Sequence, residues 1–397
     1  MAKKRYAALI LAIICLAFAG CGGGGDKSRD PRAAVEFSGA PHEVSVFFVN
    51  VGKADCAAVV IDSHAWLIDT GTEESFPNMF AALETLGVNT LDGILLTHGH
   101  NDHAGGLEAA AARYGSVTVA YPEYLLDGQQ LIAAILSCGM SAKPVKAGDS
   151  IGITEGVSFE VLAPQELNAD GDNDNSAVVM LNVNGRRFLF TGDMQKAEDT
   201  LLVSSGADIL CDVLKVPNHG NPDAVSEAFA KAASPLISVI STDTSVDKNS
   251  ANRQVVAKLS GSEIYITQEY ALGVLVTVSP RGEIAVSFPE RPEAASGAEL
   301  TRVSKADQSF TVTNTTGESL DVSGWCVWST KGFEVFCFPD GTVIPAGGEL
   351  TVACRKSAAA DTADLVWDRK KVWADSKTDI AVLIDRYGNE ISRRASE

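Results

Sequence analysis

The chain has 397 residues, enough for two or three domains of ordinary size. Hydrophobic residues make up 46% and charged residues 21%, which excludes a disordered chain, a collagen or a disulfide-stapled miniprotein. Aspartate and glutamate number 51 against 32 lysines and arginines, a formal net charge of −19. This acidity argues against function through a broad basic surface for nucleic acid.

The first twenty residues have the layout of a secretory signal peptide. A basic start precedes an apolar run at 6–18, and small residues lead into Cys21. The run is too short to predict a membrane span. Cleavage after Ala19 by an ordinary signal peptidase would give a secreted protein.

Residues 18–21 read Phe-Ala-Gly-Cys and resemble a bacterial lipobox, with Phe18 standing where that motif usually has leucine. The resemblance implies a lipoprotein signal peptide at 1–20 and lipidation of Cys21. The glycine-rich stretch that follows predicts a flexible tether at 21–41. We therefore expect an extracytoplasmic protein that a lipid anchors to a bacterial membrane.

The cysteine pattern predicts no structural zinc site, because no C-x-x-C pair occurs. Cys326 and Cys337 both lie in strand-like runs and are the best candidates for a disulfide outside the cytoplasm. The sequence alone does not establish which cysteines pair.

Strand and helix patterns alternate through residues 42–288 and predict an α/β domain. Strands are predicted at 44–49, 57–61, 65–68, 93–96, 117–120, 157–162, 177–183, 187–190, 213–216, 236–241, 263–267 and 273–278. Helices are predicted at 76–86, 107–114, 129–138, 197–204 and 223–231. Residues 289–299 have the composition of a linker, and 300–397 contain short β-rich runs with almost no helical signal.

A cluster of metal-ligand residue types follows the predicted strand at 93–96. His98 and His100 alternate in the segment that leaves the strand, so both can reach one cation. Asp102 and His103 follow at the turn into a helix and can reach a second. Imidazole nitrogen and carboxylate oxygen are the ligands that divalent transition metals prefer, so this pattern is a strong metal-site signal.

Together with three further motifs, the cluster resembles the metallo-β-lactamase fold, an αββα sandwich. Asp69 is the third residue of a Leu-Ile-Asp-Thr-Gly motif, Asp193 ends Thr-Gly-Asp, and His219 lies in Pro-Asn-His-Gly. The resemblance implies that Asp69 orients ligands, that Asp193 bridges two cations and that His219 is a late ligand.

A closer resemblance is to the nuclease-like domain of ComEC-type competence proteins and covers roughly 42–285. Residues 49–57 resemble that group's D-V-G-Q-G-D-A opening, and 173–179 resemble its N-D-N-S segment. Three departures from the wider fold stand out. No histidine lies between His103 and His219, Asn218 replaces the first histidine of a His-His-Gly motif, and no late Asn-x-x-x-His-Pro histidine is present.

The resemblance implies two divalent metal sites of unequal strength, holding zinc or manganese. The first has a full ligand set: Asp102, His103, His219 and the bridging Asp193. The second has only His98, His100 and Asp193, filled out by water or Asn175, and this oxygen-rich set favours manganese. Asn175 and Ser176 join Asp69 as residues behind the ligands. The expected catalytic residues are Asp102, which would steer the nucleophile, and Asp193.

Residues 310–325 and 338–349 resemble the lamin-tail domain, which implies an all-β immunoglobulin-like sandwich over 300–397. Its tryptophans and phenylalanines are expected to pack in the core or between strands. Nucleic acid, wall polymer and protein all remain open as its partner.

Three functions follow from these resemblances. The first is a cell-surface, metal-dependent phosphodiesterase or nuclease, with DNA as one conceivable substrate. The second is a hydrolase acting on another substrate, such as a phosphorylcholine ester or a lactone. The third is a tethered binding protein without activity.

Overall fold

The computed structural model describes residues 30–374 and 378–397. The predicted signal peptide, Cys21 and most of the predicted tether lie outside these residues. Within the two described ranges, none of the helices has the combined length and apolar character that crossing a bilayer requires.

An N-terminal domain, residues 32–287, alternates strands with helices. Its strands are β1 (Val44–Val49), β2 (Ala57–Ile61), β3 (His64–Ile68), β4 (Gly93–Leu95), β5 (Thr118–Pro122), β6 (Ser141–Val145), β7 (Ser150–Thr154), β8 (Val157–Ala163), β9 (Val178–Val183), β10 (Arg186–Phe190), β11 (Val213–Lys215), β12 (Ile237–Ile240), β13 (Glu263–Ile266), β14 (Gly273–Val278) and β15 (Ile284–Ser287). Its helices are α1 (Phe76–Thr85), α2 (Asn101–Ala104), α3 (Leu107–Tyr114), α4 (Gly128–Ser137), α5 (Lys196–Ser204), α6 (Glu227–Ala233) and α7 (Arg253–Lys258).

Two mixed sheets pack face to face in this domain. One has the order β15-β14-β1-β2-β3-β4-β5-β6 and the other β13-β12-β11-β10-β9-β8-β7. Apolar side chains fill the space between them, including Phe48 stacked on Phe190 with ring centroids 5.9 Å apart. The outer face of the first sheet packs on α1, α3 and α4, and that of the second on α5, α6 and α7. This arrangement is the predicted αββα sandwich.

Parallel pairing gathers the candidate site residues at one edge of the sandwich. Strands β3 to β6 run parallel in the first sheet, and β10 to β13 run parallel in the second. The loops that follow β3, β4, β10 and β11 carry all four predicted motifs. Because the carboxyl ends of parallel strands share an edge, these loops converge there.

In the N-terminal domain the sequence patterns missed the strands β6, β7 and β15 and the short helices α2 and α7. All three missed strands lie at sheet edges, where one flank faces solvent and the apolar pattern is weakest. Strand β6 also contains Lys143 and Pro144, both exposed. Helix α6 begins at Glu227 rather than at 223, because the Ser226 side chain caps it by accepting a hydrogen bond from the Phe229 amide at 3.0 Å.

The predicted flexible tether at 21–41 is too long, because its last part is fastened to the domain. The Val35 amide donates to the Arg281 carbonyl at 3.0 Å, and Arg186 donates to the Ala33 carbonyl at 2.6 Å. Both contacts involve hairpins at the end of the sandwich opposite the motif loops, since Arg186 begins β10 whereas Asp193 follows its end. Residues 32–35 are therefore part of the packed domain, although they lie before the predicted boundary at 42.

Among the described residues of the C-terminal domain, the regular elements are all strands. They are β16 (Ala298–Ser304), β17 (Ser309–Asn314), β18 (Leu320–Asp321), β19 (Cys326–Ser329), β20 (Val335–Cys337), β21 (Val343–Ile344), β22 (Glu349–Cys354), β23 (Leu365–Trp367), β24 (Ile380–Ile384) and β25 (Glu390–Ala395). Sheets β16-β17-β22-β23 and β20-β19-β24-β25 enclose a core that includes Trp325, Trp367 and Trp373, as an immunoglobulin-like sandwich does. Cys326 and Cys337, opposite each other on β19 and β20, form the disulfide that the sequence favoured.

The two domains share one apolar cluster. Cys326, Val335, Val382 and Ile384 of the β20-β19-β24-β25 sheet pack with residues of α1 and α3. The segment predicted as a linker at 289–299 is likewise held, since the Ala295 amide donates to Asp385 at 3.0 Å. The C-terminal domain is thus packed on the helices that follow the ligand loops.

Candidate metal site

Four predicted ligands converge at the carboxyl edge of the sandwich. The ligand atoms of Asp102, His103, Asp193 and His219 all lie within 4.8 Å of one another. His103 Nε2 is 3.3 Å from Asp193 Oδ1, and His219 Nε2 is 3.4 Å from both Asp193 Oδ2 and Asp102 Oδ2. We call these residues the four-ligand cluster.

Asp69 fixes the orientation of His103, in the role that the sequence predicted. Its Oδ2 lies 2.8 Å from His103 Nδ1, while its Oδ1 accepts a hydrogen bond from the Thr97 amide at 2.7 Å. The carboxylate therefore holds the far side of the ring and leaves Nε2 directed at the cluster. A carboxylate behind a histidine ligand is a recurrent feature of metal sites.

The loop after β11 presents His219 through a strained backbone. Asn218 and His219 both have positive φ angles, 42° and 52°, which are uncommon for residues other than glycine. The Asn218 amide donates to the Gly192 carbonyl at 3.1 Å, and His219 Nδ1 donates to the Ser241 carbonyl at 2.8 Å. These contacts direct His219 Nε2 toward the cluster.

The chemistry of these atoms fits a divalent cation. His103 Nε2, His219 Nε2 and Asp193 Oδ1 are buried, and none makes a hydrogen bond within the described chain. Leaving three such atoms without partners is costly unless another group satisfies them. Two imidazole nitrogens and two carboxylates are a ligand set suited to zinc or manganese. The residues present could therefore hold one metal ion.

The imidazoles and the carboxylates of the cluster shift one another's pKa values. Burial opposes the charge on His219, but Asp193 and Asp55 raise its pKa to about 9. Burial likewise disfavours ionised Asp193, yet His219 and His103 hold its pKa well below the usual range. The pKa of Asp102 is also held well below its usual range, against the effect of burial, by His219, His103 and Lys53. The carboxylates therefore stay ionised inside the fold.

The predicted second set is not assembled in the same way. His98 is buried, and its Nε2 lies 2.9 Å from Nδ1 of the exposed His100, so the two rings contact each other. Their ligand atoms do not join Asp193 in a group of metal-binding geometry among the described residues. Burial, followed by the charge of His103, holds the pKa of His98 well below its usual value. His98 is therefore uncharged at neutral pH.

The two residues expected behind the ligands have different positions. Ser176 accepts a hydrogen bond from the Asp193 amide at 3.1 Å and so supports that ligand directly. The Asn175 amide instead braces its own loop, donating to the carbonyls of Asn168 and Gly171 while its oxygen accepts from the Asn168 amide at 2.7 Å. Asn175 therefore does not complete the second set of ligands, contrary to the prediction.

Sequence reasoning missed a buried ion pair beneath the cluster. Asp55 and Lys215, only 3% and 5% exposed, form a salt bridge. Asp55 Oδ1 also lies 3.6 Å from His219 Nδ1, and Asp55 Oδ2 lies 3.8 Å from His103 Nδ1. Asp55, Asp69 and His103 have metal-binding spacing, but the Lys215 ammonium already supplies the positive charge there. Both residues lie inside quoted motifs, so their types were visible but their pairing was not.

Lys53 was also missed, and it stands at the open side of the cluster. Its Nζ lies 2.7 Å from Asp102 Oδ2, and the Lys53 and Asp102 side chains are 27% and 22% exposed. His103, Asp193 and His219 are at most 3% exposed. Partial burial opposes the ammonium charge, but Asp102, Asp193 and Asp55 raise the pKa of Lys53. Lys53 stands where the group's opening motif has glutamine.

Comparison with known proteins identifies both domains. Residues 49–244 match the Metallo-beta-lactamase superfamily, and residues 292–396 match the Lamin Tail Domain. The match at 292 begins inside the segment predicted as a linker.

Curated relatives match about half of this chain. The chain is 25% identical to ComE operon protein 3 of Bacillus subtilis over 52% of its own length and 26% of that protein. It is 28% identical to Competence protein ComA of Neisseria gonorrhoeae, over 55% of this chain and 29% of the relative. Recombination protein 2 of Haemophilus influenzae is 26% identical, over 49% and 24%.

The chain spans about a quarter of the length of these relatives. Within that region, the ComEC-type resemblance drawn from the motifs is confirmed. The superfamily match and the ligand cluster together support a metal-dependent hydrolase. This chain therefore joins a metallo-β-lactamase superfamily domain, homologous to part of ComEC-type competence proteins, to a C-terminal lamin tail domain.

Proposed function

We propose that this protein is a metal-dependent phosphodiesterase. The observation that carries the proposal is the convergence of His103 Nε2, His219 Nε2 and Asp193 Oδ1, buried and unpartnered, beside the half-open Asp102. A divalent cation at such a site supplies Lewis-acid polarisation and activation of water. The homology to competence proteins supports a phosphodiester as the substrate class, with DNA as one candidate.

The buried and the partly exposed residues of the four-ligand cluster have different roles. Asp193, His103 and His219 are closed off from solvent and serve to hold the cation. Asp102 is the partly exposed member of the cluster, so its carboxylate can orient a nucleophilic water as well as bind. Asp69, Ser176 and the Ser241 carbonyl keep the ligand groups in place from behind.

A bis-aryl phosphodiester assay after loading with manganese or zinc tests the proposal. We expect hydrolysis that requires added metal, is lost on chelation and falls by at least a hundredfold in Asp102→Asn. Glu227→Gln, an exposed acid on α6, is the matched control and should keep full activity. Brisk lactone hydrolysis with every phosphodiester left intact would replace this function with another hydrolase activity.

Inactivity toward every substrate tested would point away from both hydrolase functions. If wild-type protein with a full metal complement hydrolyses neither phosphodiesters nor lactones, a tethered binding function replaces both hydrolase proposals. Retention of all four ligands in one cluster weighs against that reading.

We also propose that Cys21 carries the lipid anchor predicted from the lipobox-like residues 18–21. The described chain contacts the domain at residues 32–35, at the end of the sandwich opposite the ligand loops. Mass spectrometry of the membrane fraction should find a diacylated N-terminal peptide in wild type and none in Cys21→Ser. A peptide beginning at Gly20 would instead indicate ordinary secretion.

A further inference from the structure

We propose that Lys53 is a substrate-binding residue whose ammonium contacts an anionic phosphoryl oxygen at the mouth of the four-ligand cluster. The inference rests on the proposed function and narrows it to substrates that present a phosphate group beside Asp102. The placement of Lys53 supports this role.

The loop that carries Lys53 is held on several sides. The Asn50 amide donates to the Leu272 carbonyl at 2.9 Å, and its side chain donates to the Tyr270 carbonyl at 3.0 Å. On the other flank the Asp55 amide donates to the Asp102 carbonyl at 3.0 Å. Lys53 therefore has a fixed base beside α2, and little entropy is lost when its ammonium engages a ligand.

The position of the ammonium relates it directly to the reacting centre. Asp102 Oδ2 lies 2.7 Å from Lys53 Nζ and 3.4 Å from His219 Nε2, so a single carboxylate oxygen adjoins both groups. Lys53 approaches from the solvent side, whereas His219 is fully buried. A substrate that enters the cluster from solvent meets this ammonium first.

The other cation at the site cannot take this role. Lys215 is buried beneath the cluster and is paired with Asp55, so it serves the fold rather than a ligand from solvent. Among the described contacts of the four-ligand cluster, no arginine takes part. Phosphoryl oxygens are bound most strongly by charged donors, and lysine acts on them as a point charge. Lys53 is placed to supply that charge.

Binding of inorganic phosphate to the manganese-loaded protein tests the inference without turnover. We expect Lys53→Gln to keep its metal and to weaken phosphate binding about tenfold or more, since hydrogen bonds to charged groups are the stronger class. Lys53→Arg should retain most of the affinity. Lys143→Gln, the same charge change on the exposed edge strand β6, should bind phosphate as wild type does.

Metal content, phosphate affinity and thermal stability together decide the matter. Unchanged phosphate affinity in Lys53→Gln would overturn the inference. Loss of bound metal along with phosphate would overturn it too, because Lys53 would then only hold Asp102 in place. If Lys53→Gln loses phosphate affinity while wild type cleaves no phosphodiester, the binding role stands and the proposed function fails.

Discussion

The ring of Trp328 meets the ring of Phe76 edge-on, with centroids 5.5 Å apart and planes at 87°. Trp328 lies on β19 of the lamin tail domain, and Phe76 begins α1 of the N-terminal domain. Polar contacts also join the two domains: Arg386 and Arg113 both bind Glu84 of α1, and Arg113 donates to the Arg386 carbonyl at 3.0 Å. The lamin tail domain is therefore an integral part of the packed structure.

Trp328→Ala should destabilise both domains together. Removing a large buried aromatic typically costs about 3–5 kcal/mol, and the partial exposure of Trp328 places it at or below the lower end of that range. Urea denaturation followed by circular dichroism should show one transition shifted to lower urea. Phe333→Ala, which removes a ring of the same domain stacked on Trp328, should have a smaller effect. Two separate transitions in wild type would contradict the shared core.

Metal content should reveal two unequal sites. The four-ligand cluster is assembled, whereas His98 and His100 contact each other. We expect elemental analysis after dialysis to find one firmly held cation per chain. Asp193→Ala should lose it, because both Asp193 oxygens face the imidazole ligands, while His98→Ala should lose only the weaker cation. Two equally tight zinc ions in wild type would reject the asymmetry.

The fold and the convergence of the four-ligand cluster could be predicted because each depends on short segments of the sequence. Asp102 and His103 are neighbours on α2, and Asp193 and His219 lie in compact motifs after predicted strands. The Asp55–Lys215 pair joins residues 160 positions apart, and no local pattern signals such a contact. Asn175 shows the opposite error, since its motif was recognised but its side chain serves its own loop.

The packing of the two domains against each other could not be predicted from the sequence, for a related reason. The apolar residues of β19 and β20 form short continuous runs, and such a pattern does not say which partner covers each face. The linker composition of 289–299 suggested independence, yet Arg291 contacts both Asn78 and the Gly388 carbonyl. Only the folded chain shows that these contacts join the domains.

Breaking the Asp55–Lys215 pair should be more harmful than removing it. Lys215→Met leaves a buried carboxylate without its partner, a change that typically costs about 3–5 kcal/mol. The double variant Asp55→Asn with Lys215→Met removes both charges and should recover part of the loss. Denaturation in the presence of chelator keeps metal binding out of the comparison. Equal stability of the single and double variants would show that the pairing is unimportant.

Glu198 should make stability depend on pH. It is 2% exposed, its Oε1 has no hydrogen-bond partner in the described chain, and burial with the charges of Asp174 and Glu166 raises its pKa to about 8. An unfolded glutamate titrates at about 4.3. Between these values the folded protein keeps a proton that the unfolded chain loses, so this contribution to stability falls as pH rises from about 4 to about 8.

Glu198→Gln removes that proton exchange. The variant should have a flatter stability profile and should exceed wild type above pH 7, with a difference of about 1.4 kcal/mol for each unit of pKa shift it abolishes. Thermal melts at intervals between pH 4.5 and 8.5 measure this. Glu227→Gln should follow wild type throughout, because Glu227 is exposed. Parallel profiles for wild type and Glu198→Gln would show that Glu198 is ionised in the fold.

The protein is acidic overall, so any contacts with DNA phosphates would depend on local basic residues. The basic stretch 369–371 of the lamin tail domain is the natural candidate for phosphate contacts, but Arg369 is already bound to Glu108 of α3. Arg369 and Glu108 line a groove of about 630 Å³ between the domains. The other charged residues of this groove, Glu73, Asp127 and Glu334, are all acidic. Long-range attraction to a polyanion should therefore be weak.

If DNA is a substrate, the exposed side chains of Lys370 and Lys371 are the candidates for contacts with its phosphates. Replacing both with glutamate should lower turnover of long single-stranded DNA severalfold and flatten its salt dependence, because fewer counterions are released on binding. Hydrolysis of a small phosphodiester should stay unchanged. Point variants are the right test, because deleting the domain would uncover the apolar face of α1 and α3. Unaltered DNA kinetics from low to moderate salt would instead assign this surface to a wall polymer or a protein partner.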